Sequence, residues 1–293
     1  MPALIHRGVF WLGITILVLS TPTLAQTRAK LAIIIDDIGY NLPLGQRTTQ
    51  LPGPFTLAVL PFTPHGRELA ELAHQRGKEL MLHAPMSNHH DYPLGPGGLV
   101  SGMERADFLA VLRQNLANIP YIKGVNNHMG SLLTEQTEPM RWLMLELQTR
   151  DLYFVDSRTT AKTQALIEAE RIRLPSRRRD VFLDDTRTRD HIKQQLLLAL
   201  QKARQQGSAI AIGHPYPETL NVLNNIQPLL ENYNVELVPV SKLVAEFTPT
   251  FPLRNYCPAP PMHFWPETRM PVDLFDKQLL SLSTKLAINR SKN

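Results

Sequence analysis

The chain has 293 residues, 43% of them hydrophobic and 19% charged, which is enough apolar material for a sizeable core and excludes a coiled coil or a fully disordered chain. A single cysteine, Cys257, rules out an internal disulfide, so stability must come from packing. The formal charge of +5 suits an anionic polymer or membrane surface, but the cations are spread along helices apart from RLPSRRRD (Arg173 to Asp180). With no nucleic-acid signature, that cluster reads as a solvated or carboxylate-paired face.

Residues 1–25 read as a secretory signal. Arg7 gives a positive n-region, Val9 to Leu19 an apolar stretch too short for a span, and Thr23-Leu24-Ala25 a small-residue cleavage site. The mature protein is therefore expected in the periplasm, with no stable membrane span after cleavage. Leu31 to Ile35 is apolar and rich in β-branched residues, a strand buried on both faces, and it ends in two adjacent carboxylates, Asp36 and Asp37. Both can stay ionised there only beside a cation or strong donors. Gly39 then lets the chain turn away.

Leu42 to Leu51 reads as a short helix, Phe55 to Phe62 as a second strand, and His65 to Gln75 as a helix ended by Gly77. KELMLHAPM delivers His83 at the end of a third strand, completing a parallel unit. A His-, Pro- and Gly-rich loop follows from Asn88 to Val100. Ser101 with Glu104 fits a capping box for the next helix. Ile122 to Ser131 is a strand ending around Asn127 and His128, Pro139 opens a helix reaching Thr149, and Leu152 to Thr160 is a strand ending in Asp156, beside Arg158. RDVFLDD again runs apolar then acidic. Thr188 to Gln206 has helical period and stops at Gly207. Ser208 to Pro215 is a strand ending in His214, Pro217 starts a helix to about Asn232 that Pro228 kinks, and Val235 to Ser241 is the last strand.

The alternation predicts an α/β fold, a parallel sheet or barrel of about seven or eight strands with outer helices, in one domain over residues 26–247. Residues 248–293 read as a proline-rich tail, with a short amphipathic helix at Val272 to Ile288.

Asp36, Asp37, His83, His128, Asp156 and His214 all fall at the ends of separate strands, which such folds gather on one face. Carboxylate and imidazole suit a divalent metal, with zinc the expected ion, and three such ligands leave a position for water. The economical assignment gives the metal to Asp37, His83 and His128, the water proton to Asp36, and protonation of the leaving group to His214. Asn127, Asp156 and Arg158 are further pocket residues. His89 and His90 are loop residues able to substitute as ligands, and Asp184 and Asp185 read as partners for Arg177 to Arg179.

LAIIIDDIGY, LMLHAPM, GVNNHMGS, FVDSRTT, RDVFLDD and AIAIGHPYPET, in this order, resemble the divergent polysaccharide deacetylase family, relatives of the NodB-type carbohydrate esterases of the bacterial envelope. The resemblance covers about Lys30 to Val244. It implies a distorted (β/α) barrel, a divalent-metal site, and a metal-dependent hydrolase that removes acetyl groups from an envelope polysaccharide or peptidoglycan-related glycan. The first motif of the broader esterase group, a base followed by a metal-ligand Asp, would map onto Asp36 and Asp37, and the last motif's leaving-group His resembles His214. The group's second motif has two histidines four residues apart. Here His83 is followed at the fourth place by Ser87, so the ligand set must be completed from elsewhere, and His128 is the residue placed to do it. The broken pair keeps a second reading open: the same fold as a catalytically silent glycan-binding or regulatory envelope protein, its tail engaging an envelope partner.

Overall fold

A computed structural model describes residues 28–245. The expected signal segment and the proline-rich tail with its helix lie outside the described residues. The chain alternates strand and helix: β1 (Ala29–Ile38), α1 (Leu42–Thr49), β2 (Thr56–Val59), α2 (Gly66–Gln75), β3 (Glu79–Met86), α3 (Arg105–Asn118), β4 (Ile122–Met129), α4 (Thr137–Gln148), β5 (Tyr153–Asp156) and α5 (Ala165–Arg171). It continues through β6 (Ser176–Arg178), β7 (Val181–Phe182), α6 (Arg189–Gln206), β8 (Ser208–Gly213), α7 (Pro217–Leu223), α8 (Gln227–Asn232), β9 (Val235–Leu237) and α9 (Val240–Val244).

The strands form one parallel sheet in the order β6-β5-β4-β3-β2-β1-β8-β7, with β9 against the first residues of β1. Its two ends are carried by a single stretch of chain. Ser176 to Arg178 pairs with β5, and only two residues later Val181 and Phe182 pair with β8. Arg179 N–H bonds to Asp156 O and Asp180 N–H to Ile210 O across that join. The sheet thus curls into the expected distorted barrel, with the helices outside.

Side-chain alternation sorts the core into two layers. On β1, Leu31, Ile33 and Ile35 face outward into the larger cluster under the helices. Ala32 and Ile34 face inward, with Ala58, Met81, Tyr153, Val155, Ile210 and Ile212. Val240, Leu243 and Val244 of α9 join this inner cluster, beside the strands' N-terminal ends. The inward parity therefore runs 32, 34, 36 on β1, 81 and 83 on β3, 153 and 155 on β5, and 210 and 212 on β8, continuing to 214 just past its end.

Where elements begin and end, local chemistry decides. The Thr188 hydroxyl accepts from His191 N–H at the start of α6, and Gly207, at φ +82°, closes it. The helix expected from Pro217 to Asn232 is two helices: the chain breaks at Asn224 to Ile226, and Pro228 sits in the first turn of α8, where its missing N–H costs nothing. The Ser101 capping box is corrected too. Glu104 is the N-cap of α3, while the Ser101 N–H donates to Ser87 Oγ and its hydroxyl accepts from Gln136. The basic stretch at Arg173 to Asp180 is a solvated face only at Arg173 and Arg178; it contains β6, where Arg177 donates to Ser208 Oγ, and Arg179 donates to Ser157 O and Arg158 O.

Candidate functional site

The C-terminal ends of β1, β3, β4 and β8 bring four expected residues together. Adjacent residues on a strand face opposite ways, so Asp36 and Asp37 could not both face inward on a regular β1. The β1–β2 register shifts between Ile35 and Ile38, and Asp37 takes a left-handed backbone, φ +58°. That bulge turns both carboxylates onto one imidazole: His83 Nε2 is 3.7 Å from Asp36 Oδ2 and 3.2 Å from Asp37 Oδ1. Such a conformation is strained for a residue with a Cβ, by about 1–3 kcal/mol, and strain of this kind gathers at functional sites. His128, followed by the left-handed Met129, brings its Nδ1 to 2.9 Å from Asp37 Oδ1 and 3.2 Å from His83 Nε2.

Asp37 Oδ1, His83 Nε2 and His128 Nδ1 thus form a triangle with edges of 2.9, 3.2 and 3.2 Å. Donors bound at 2.0–2.1 Å to a tetrahedral ion stand about 3.3 Å apart, so this triangle has the dimensions of one face of such a site. Asp37 Oδ1 is buried, and neither close imidazole nitrogen gives it a well-aligned hydrogen bond. A buried carboxylate oxygen facing two imidazole nitrogens is an arrangement that a shared cation would satisfy. One oxygen and two nitrogens are also the donor set of a catalytic zinc or similar divalent site, and among the described residues this is the cluster whose donor atoms converge. The residues fit a metal.

The neighbours orient these donors. Asn126 Nδ2 donates to Asp36 Oδ1 at 2.8 Å, which turns its Oδ1 toward His83 Nδ1, also at 2.8 Å. His83 must therefore carry its proton on Nδ1 and aim Nε2 at the cluster. Burial alone would lower the His83 pKa, but Asp36 and Asp37 outweigh it and push the pKa up to about 9. Burial works against ionised Asp37 as well, yet the two imidazoles hold it well below the usual carboxylate range. Asp36 is raised, chiefly by burial and against the pull of His83, His214 and Asn126.

His214 stands on the other side, Nε2 3.8 Å from Asp37 Oδ2. Asp184 fixes it. Asp184 Oδ1 is 2.9 Å from His214 Nδ1, while Oδ2 accepts from His214 N–H and the Thr219 hydroxyl, both at 2.7 Å. His214 is raised in pKa because this bond and Asp37 outweigh burial.

Other expectations land elsewhere. Asp184 and Asp185 do not pair with Arg177 to Arg179; Asp184 serves His214, and Asp185 binds His191 at 2.7 Å. Asp156 has the wrong parity on β5. Its oxygens accept from Arg158 N–H and the Thr163 hydroxyl, so it shapes the following loop. Arg158 takes part through its backbone, left-handed at φ +54°. Asn127 also braces backbone, accepting from Ser157 N–H and donating to Met129 O, whereas Asn126 touches the cluster. His89 pairs with Glu135 at 3.3 Å, and neither it nor His90 joins the triangle. The signal that separates Asn126 from Asn127, and Asp184 from Asp185, is strand parity: 126 and 128 face inward on β4, as do 182 on β7 and 184 on the chain after it.

Comparison with known proteins adds a lineage to this geometry. A family model described as divergent polysaccharide deacetylase matches residues 33–244. The uncharacterized protein YibQ of Escherichia coli (strain K12) is 39% identical over 235 residues, covering 79% of this chain and 71% of that protein. An uncharacterized protein of Haemophilus influenzae is 36% identical over 196 residues, 67% of this chain and 70% of its own length. Among solved structures, an uncharacterized protein from Agrobacterium tumefaciens C58 superposes with a TM-score of 0.71 at 24% identity, over 76% of this chain and 92% of that one, which bears on the fold alone.

Proposed function

Because the chain belongs to the divergent polysaccharide deacetylase family, we propose that it is a periplasmic, metal-dependent hydrolase that removes acetyl groups from an envelope polysaccharide or peptidoglycan-related glycan. The observation that carries this reading is the triangle of Asp37 Oδ1, His83 Nε2 and His128 Nδ1, flanked by a buried carboxylate on one side and a carboxylate-oriented imidazole on the other. Bound there, a divalent ion, with zinc expected, would supply positive charge for a developing oxyanion and lower the pKa of water.

The remaining steps belong to the chain itself. Asp36 accepts the proton of the attacking water; its burial-raised pKa makes it a better base than an exposed carboxylate, and Asn126 holds its other oxygen. As water oxygen bonds to the acetyl carbon, the C–N or C–O bond to the sugar breaks. His214, its Nδ1–H held by Asp184, gives the Nε2 proton to the departing nitrogen or oxygen. Acetate and a free amine or hydroxyl result.

The test is to assay metal content in the purified protein and acetate release from acetylated glycan oligomers, with and without chelator. Activity that chelation abolishes and zinc restores, and that Asp37→Ala and His83→Ala both lose together with the metal, is expected. Glycan binding without acetate release, indifferent to chelator, selects instead the silent glycan-binding protein to which the Ser87 departure points.

A further inference from the structure

Beside His214 the barrel mouth carries a cation that the chemistry above does not use. Tyr216 follows His214 across Pro215 and is itself followed by Pro217, the first residue of α7. With a proline on each side and its N–H bonded to His214 O at 2.8 Å, its backbone has little freedom. The Tyr216 ring lies 5.4 Å from the His214 ring. Arg187 lies over that ring with Cζ 3.7 Å from its centroid, and its Nη2 donates to the Tyr216 hydroxyl at 2.6 Å. The loop holding Arg187 is braced on both sides, by Asp184 and Asp185 on His214 and His191, and by Thr188 N–H on Thr186 O.

Among the described residues Arg187 forms no ion pair, because the adjacent acids are taken by the two histidines. Nor is it needed to neutralise Asp37 or Asp184, which the imidazoles already contact. What remains is an exposed, pre-oriented guanidinium with most of its N–H donors free, one aromatic ring's width beyond the residue expected to protonate the leaving group. A planar fork so held matches a carboxylate.

We propose that Arg187, seated on Tyr216, binds a carboxylate on a sugar next to the one being deacetylated, so that the site prefers acidic glycans to neutral ones. This inference rests on the hydrolase reading for the placement of the reacting sugar. The probes are N-acetylated chitohexaose and the same oligomer with its C6 hydroxymethyl groups oxidised to carboxylates. Dissociation constants by calorimetry and acetate release are measured for wild type, Arg187→Gln and Tyr216→Phe. Wild type should bind the carboxylated oligomer about ten-fold tighter or better, as expected for one charge-assisted pair. Arg187→Gln should bring the two oligomers to parity, and Tyr216→Phe, which keeps the ring but frees the guanidinium, should lose part of the preference. A wild type that binds neither oligomer or shows no preference, or an Arg187→Gln that keeps it, overturns the inference. An Arg187-dependent binding preference without acetate release from either oligomer would sink the N-deacetylase reading and leave acidic-glycan binding standing. Equal acetate release and equal binding would do the reverse.

Discussion

Asn126 shows how one side chain can set the chemistry of a site it does not ligate. Its amide is locked by Asp36, its carbonyl therefore faces His83, and the imidazole is left with one nitrogen for the cluster. Replacing it with Ala should weaken zinc affinity about 10–100-fold, measured by competition with a chromophoric chelator. His83 adds a pH dependence with a definite sign. Its pKa of about 9 means that metal-free protein holds a proton there at neutral pH. Zinc must displace it, so affinity should rise with pH up to about 9 and then level off. Calorimetry at pH 7 in buffers of different ionisation enthalpy should register proton release. On the far side, Asp184→Asn keeps the shape but lets His214 turn or take the other tautomer. Acetate release should fall about 10²–10⁴-fold while metal content stays unchanged. Residue types at strand ends pointed from sequence to a cluster of carboxylates and imidazoles, because a parallel α/β fold gathers those ends on one face. Which neighbour orients them was not readable, since Asn126 and Asn127, or Asp184 and Asp185, differ only in which way a strand faces.

Long elements with many repeats of their period could be read from sequence, as in α6 with its Thr188 and Gly207 ends. Some short ones could not: β6, α5 and α9 run three, seven and five residues, too few to show a period. Their existence is set by tertiary contacts. Gly124 of β4 shows the same dependence from the packing side. It stands opposite Tyr153 of β5, and a Cβ there would lie 2.2 Å from the Tyr153 ring. Gly124→Ala should therefore cost about 1–3 kcal/mol in denaturant-measured stability. In a Tyr153→Leu background the same substitution should cost less, because the ring is what the methyl meets.

The barrel is held at its N-terminal end by Glu79, whose Oε1 accepts from Thr56 Oγ1 on β2, the Tyr153 hydroxyl on β5 and Ser241 N–H on α9. Thr56 Oγ1 in turn accepts from Val240 N–H. Glu79→Ala would strand these donors, lowering stability by about 2–4 kcal/mol, and limited proteolysis should then cut first near Val240 to Val244. None of this was visible in the sequence, where Glu79 is one acid before an apolar run. The join at Ser176 to Phe182 has a different consequence. Because seven consecutive residues stitch both margins of the sheet, the turn between them cannot lengthen on its own. One residue inserted at Arg179-Asp180 has either to bulge out, breaking the Arg179 or Asp180 backbone bond, or to slip a strand and send Phe182 and Asp184 outward. Family members should therefore vary in length at the outer loops while that stitch keeps its count.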